Sequence, residues 1–130
     1  MMRGATGLVV IGLLLGGAAC GGGEGIEAEV AETVQVDWAA DAMQYRDREG
    51  ERFAFVCPSD GTEHLVWGTD LYSDDSSVCT AAVHAGKLTF EEGGTVEVEI
   101  RPGADSYEDS ERNGVSTSSW GAWDGSFIFP

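Results

Sequence analysis

Ser76-Ser77-Val78-Cys79-Thr80-Ala81-Ala82-Val83-His84-Ala85-Gly86 is the stretch that decides how this 130-residue chain folds. Asp75 or Ser76 suits the N-cap of a short helix, because a side-chain oxygen there satisfies an orphan backbone N–H, and Gly86 suits its stop, because glycine accepts the left-handed conformation that follows a last turn. Apolar residues run almost all the way round, leaving only the stripe Ser77, Thr80 and His84 at spacing i, i+3, i+7. A helix with so little polar surface is normally surrounded by other structure. It is expected at the centre of the domain.

On either side the pattern changes from helical to alternating. Glu51 to Cys57 places Phe53, Phe55 and Cys57 on one face and is closed by Pro58 and Gly61; Thr95 to Ile100 sets Val96, Val98 and Ile100 against Thr95, Glu97 and Glu99. Period-two alternation of this kind marks half-buried strands. Gly93-Gly94 is expected to open the second strand and Pro102-Gly103 to end it, with Asn113-Gly114 as a turn and Ser126 to Phe129 as a closing strand. Residues 34–49 stay open between a strand, for Val34-Gln35-Val36, and a helical turn, for Ala39, Ala40, Ala42 and Met43. The sum is a small β-rich α+β domain around one helix.

The amino-terminal residues read as a targeting segment. Arg3 begins it, an apolar run covers Leu8 to Leu15, and Gly16-Gly17-Ala18-Ala19 leads to Cys20. That is signal-peptide anatomy, and the apolar run is too short to span a bilayer of about 30 Å as a helix. Cys20 after two small residues is similar to a bacterial lipobox, in which the cysteine is acylated and becomes the new amino terminus; Gly17 stands where lipoboxes usually carry Leu. Residues 1–19 are thus expected to be a signal peptide, 20–33 a lipidated Cys20 followed by a flexible acidic tether, and 34–130 a single domain. Gly21 rather than Asp after the cysteine favours the outer membrane of a bacterial envelope, with ordinary cleavage after Ala19 to a secreted or periplasmic form as the alternative. Giving Cys20 to lipid leaves Cys57 and Cys79 as a candidate disulfide in an oxidising compartment.

Charge narrows the partners. Seven basic residues face 23 acidic ones, for a formal net charge of -16. Such a surface repels phosphate backbones and anionic headgroups, which would need cationic side chains to replace their counterions. Nucleic acid is therefore excluded as a partner, while neutral glycans, lipids and proteins remain.

The stretch from Phe55 to Ser116 resembles the LCCL domain family. The resemblance is carried by Cys57-Pro58, by Val66-Trp67-Gly68-Thr69-Asp70-Leu71-Tyr72-Ser73-Asp74-Asp75-Ser76-Ser77-Val78-Cys79, by Ala81-Ala82-Val83-His84-Ala85-Gly86, and by Gly93-Gly94, Pro102-Gly103, Tyr107 and Asn113-Gly114-Val115. It implies strands wrapped around a central helix and an extracellular, non-catalytic module for which lipid, lipopolysaccharide or carbohydrate binding has been suggested. Animal members typically have four cysteines, and two of those positions are empty here. Cys57 and Cys79 match cysteines whose usual partners are the missing ones, so their mutual pairing is an inference from this chain's cysteine count.

Candidate ligand contacts are Trp67, Tyr72, His84, Asn113, Trp120 and Trp123. Flat indole rings suit pyranose faces, and Trp120 and Trp123, set among Ser and Gly, read as the more exposed pair. His84 reads primarily as a hydrogen-bonded core histidine. Asp70, Asp74 and Asp75 could offer oxygens to Ca²⁺, but their spacing fits no EF-hand loop, and capping the helix is the simpler role for Asp74 and Asp75. A triad of Ser76 or Ser77 with His84 and an aspartate fails on geometry, since seven helical residues place Ser77 and His84 roughly 10.5 Å apart along the axis. No catalytic residue, resident metal or cofactor is expected. A binding module and a structural lipoprotein without a small ligand are the two functional readings.

Overall fold

The computed structural model describes residues 29–130. The expected signal peptide, Cys20 and most of the expected tether lie outside the described residues. The elements are β1 (Val30–Gln35), a 3-10 turn (Met43–Tyr45), β2 (Arg52–Cys57), β3 (Gly68–Thr69), β4 (Leu71–Ser73), α1 (Val78–His84), β5 (Gly94–Ala104), β6 (Glu111–Arg112), β7 (Val115–Ser116) and β8 (Trp123–Ile128). Six strands form one sheet in the order β1-β2-β5-β8-β4-β3. Only β1 and β2 run parallel; the other pairs are antiparallel. The fold is α+β, β-rich, with one short α-helix among the described residues.

Alternation builds the core. Phe53 and Phe55 of β2, Val96, Val98 and Ile100 of β5, Tyr72 of β4 and Phe127 of β8 are all buried, and Val78, Ala81 and Ala82 of α1 pack into the same cluster. Every residue from Val78 to His84 is buried. The almost entirely apolar surface of the segment is thus satisfied by enclosure, and burying a Val- or Phe-sized side chain contributes about 1.5–3 kcal/mol. A second cluster holds Trp38, Val83, Val115 and the disulfide between Cys57 and Cys79, whose Cα atoms are 6.0 Å apart. That bond ties the end of β2 to the first turn of α1 across a sequence separation of 22.

Three local expectations change and one stands. The N-cap is Ser77, whose Oγ accepts from the Thr80 N–H at 3.1 Å while its hydroxyl donates to the Trp38 carbonyl at 2.6 Å. Asp74, Asp75 and Ser76 are drawn away from capping by bonds of their own, described below. The Gly86 stop stands: at φ +81° its N–H reaches the Val83 carbonyl and the Lys87 N–H reaches that of Ala82, the double bond of a Schellman end. Strand β5 runs on through Pro102-Gly103 to Ala104, because beyond Ile100 it has left β2 and pairs only with β8. Ile100 donates its N–H to Glu51 on the β2 side, so the missing N–H of Pro102, two residues on, faces that same vacated side. Finally, residues 34–49 contain the end of a strand and a 3-10 turn in succession, and β1 begins at Val30, inside the segment read as tether, where it pairs with Arg52–Val56.

Asn113 and Gly114, at φ +54° and +80°, turn the hairpin between β6 and β7 as expected. Among the described residues no helix is long and apolar enough to cross a membrane.

Candidate functional site

The four tryptophans sort by what their indole N–H groups do. Trp38 is 5% exposed and donates to the Pro58 carbonyl at 2.8 Å; Trp123 is half-buried and donates to Asp74 Oδ1 at 2.8 Å, with the Arg46 guanidinium 5.6 Å from its ring centroid. Both rings are tied into the frame. The indole N–H groups of Trp67 and Trp120 have no acceptor among the described residues, and Trp120 is 53% exposed. Their rings meet edge to face, centroids 6.5 Å apart at 70°. Backbone bridges fix both: Trp67 to Ser118, and Trp120 to Tyr107 through bonds of 2.8 and 3.0 Å. Sequence reasoning paired Trp120 with Trp123; the tertiary structure pairs it with Trp67.

Trp67, Trp120, Ser73 and Asp75 line a notch of about 50 Å³. The Ser73 hydroxyl donates to Asp75 Oδ1 at 2.5 Å, and Ser76 Oγ accepts from the Trp67 backbone N–H at 2.9 Å, so the loop from β4 to α1 sets both the carboxylate and the backbone that carries the ring. Asp75 is half-buried and has no cationic partner within ion-pair distance among the described residues. The result is an aromatic corner closed on one side by an anion.

Tyr72, His84 and Asn113 gather elsewhere, in the interior. His84 is fully buried; its Nδ1 lies 2.9 Å from the Tyr72 hydroxyl and its Nε2 3.0 Å from Ser110 Oγ. Ser110 is 2.5 Å from Thr69 Oγ1, which donates to the Glu108 carbonyl. One proton arrangement satisfies the whole chain: Tyr72 donates to Nδ1, Nε2–H donates to Ser110, Ser110 to Thr69, and Thr69 to Glu108. Burial lowers the His84 pKa, with the Arg112 charge adding to the effect, and burial raises that of Tyr72. Both groups are thereby held neutral. Asn113 donates to the His84 carbonyl at 2.9 Å, joining the β6–β7 turn to the end of α1. Ser110 gave no sequence signal and Thr69 none beyond its place in the family motif, since their bonding role arises only where β3 and the segment before β6 meet α1.

The three aspartates do not converge. Asp74 is 1% exposed and accepts from Arg46 Nε and Nη2, both at 2.8 Å, and from Trp123. Asp70, at φ +69°, pairs with Arg112 at 2.8 Å, and Asp75 faces the notch. Among the described residues no group of three or more His, Cys, Asp or Glu side chains is placed to hold a metal ion. Ser77 and His84, the proposed ends of the rejected triad, are engaged separately with Trp38 and with Tyr72 and Ser110.

The model of the LCCL domain matches residues 32–127, nearly the whole of the folded part described above. The chain belongs to the LCCL domain family. Among its curated relatives, clotting factor C of Tachypleus tridentatus is 38% identical over 85 residues, covering 64% of this chain and 8% of the relative. Human vitrin is 41% identical over 78 residues, 58% of this chain and 11% of the relative. The human cysteine-rich secretory protein LCCL domain-containing 2 is 46% identical over 56 residues, 43% of this chain and 11% of the relative. The match spans only about a tenth of these relatives' own lengths.

Proposed function

We propose that this LCCL chain is a non-catalytic recognition module, held on a bacterial envelope through an acylated Cys20, that engages a glycan or lipid headgroup with its Trp67–Trp120 notch. The observation that carries the reading is the pair of indoles set edge to face with their N–H groups unengaged among the described residues, in contrast to two other tryptophans whose N–H groups are bonded inside the frame. Aromatic side chains that present a free face and a free polar tip at a surface are the usual anchors of recognition sites. The net charge of -16 directs the choice of ligand away from polyanions such as unbridged lipopolysaccharide. Segments 1–19 and 20–29, with their targeting pattern and glycine-rich acidic run, support attachment at a membrane surface.

The test is a glycan and lipid array probed with the protein and with Trp120→Ala, followed by intact mass of the chain from its native membrane. Hits that vanish in Trp120→Ala, at unchanged melting temperature, support the module. A blank array, or hits indifferent to Trp120, leaves a purely structural lipoprotein. A mass without added acyl chains removes the anchor.

A further inference from the structure

Resting on that reading of the notch, we infer that the group it recognises is a cation of the quaternary-ammonium type, such as the trimethylammonium of a choline. Two observations converge. Trp67 and Trp120 present two ring systems at 70°, a corner in which the face of one indole can meet a ligand while the other ring adds an apolar wall. Rings attract a cation placed over their faces within about 6 Å of the centroid, tryptophan most strongly. Asp75, in the same lining, supplies a carboxylate without a lysine or arginine partner among the described residues.

The contrast with the rest of the molecule sharpens the inference. Five of the protein's own arginines, Arg46, Arg48, Arg52, Arg101 and Arg112, are drawn into ion pairs with other acids. Where an indole and a carboxylate meet a guanidinium, at Trp123, Asp74 and Arg46, the protein has filled the same combination with its own cation. At Trp67, Trp120 and Asp75 no cation of the described residues does so. The notch, at about 50 Å³, is too small to enclose a whole sugar ring, and its lining is two indoles against Ser73 and Asp75. A strongly hydrated ammonium such as that of lysine gains less there, because its three N–H donors would find few acceptors, whereas methyl groups ask for none.

The full chain is titrated with choline chloride and, separately, with 3,3-dimethyl-1-butanol, its uncharged isostere, by tryptophan fluorescence and calorimetry, with sodium chloride at matched ionic strength as baseline. Saturable choline binding is expected, at least tenfold weaker for the isostere, at least tenfold weaker in Asp75→Asn, and lost in Trp120→Ala. Asp75→Asn keeps an oxygen for Ser73, and melting temperatures certify that both variants fold. Phosphatidylcholine vesicles distinguish the source: retention competed off by free choline assigns the cation to a lipid headgroup, while binding of free choline alone assigns a soluble one, and either supports the inference. Equal binding of choline and isostere, or binding indifferent to Asp75, overturns it. Array hits that need Trp120 without any choline binding overturn the cation and leave the recognition module standing; the absence of both overturns the two together.

Discussion

Asp74→Ala is expected to destabilise the domain more than any surface substitution. The carboxylate is almost completely buried and accepts three hydrogen bonds at 2.8 Å, two from Arg46 and one from the Trp123 indole. Breaking a buried ion pair by removing one partner costs about 3–5 kcal/mol, largely because the other charge is stranded. The Arg46 side chain is 27% exposed, so water can partly reclaim its guanidinium and the lower end, about 3 kcal/mol, applies. For a domain of this size that corresponds to a fall in melting temperature of roughly 12–24 °C. The backbone bonds from Asp74 N–H to Gly125 and from Ala42 N–H to Asp74 survive the change, so the variant should still fold. Thermal unfolding followed by near-ultraviolet circular dichroism reads the effect. In Arg46→Met/Asp74→Ala no charge is stranded, and the double variant should be clearly less damaged than the sum of the singles. A single variant melting within about 4 °C of the parent, equivalent to less than about 1 kcal/mol, or strict additivity in the cycle, would refute the reasoning.

Three further outcomes follow from the same physics. Replacing both Cys57 and Cys79 by alanine opens a loop of 22-residue separation and should cost about 3 kcal/mol in urea unfolding, with no comparable loss if the bond did not form. His84 has its folded pKa below its unfolded value of about 6.5, so the unfolded chain takes up the proton first and the stability from His84 is lost as pH falls below about 6.5. His84→Gln should therefore flatten the fall in stability between pH 7.5 and 5 relative to the parent, and parallel pH profiles would contradict that. Ser77→Ala removes the N-cap and the bond to Trp38 together and should lower stability by about 1–2 kcal/mol, measured by urea unfolding at pH 7.

The candidate site was only half legible. Trp67 and Trp120 could each be nominated from the sequence, but they lie 53 positions apart, and their meeting depends on Ser118 bridging to Trp67 and Tyr107 to Trp120. Trp123 looked as exposed as Trp120, and its tie to Asp74 could not be read because the two lie 49 positions apart and meet only through the pairing of β8 with β4.

Local pattern by itself determined the buried helix from Val78 to His84, the alternating strands around Phe53–Phe55 and Val96–Ile100, the Asn113-Gly114 turn and the β-rich α+β class. Those features follow from period, capping and turn chemistry, which act over a few residues. Tertiary structure alone decided that Ser77 and not its neighbours caps the helix, that Asp74 is a buried counter-ion, that β5 passes through Pro102, and which two tryptophans tie their N–H groups into the frame. Each of these depends on which distant group arrives to accept or donate a hydrogen bond. Nearest-neighbour sequence holds no record of that, because burial lets a strong partner far along the chain override a weaker one close by.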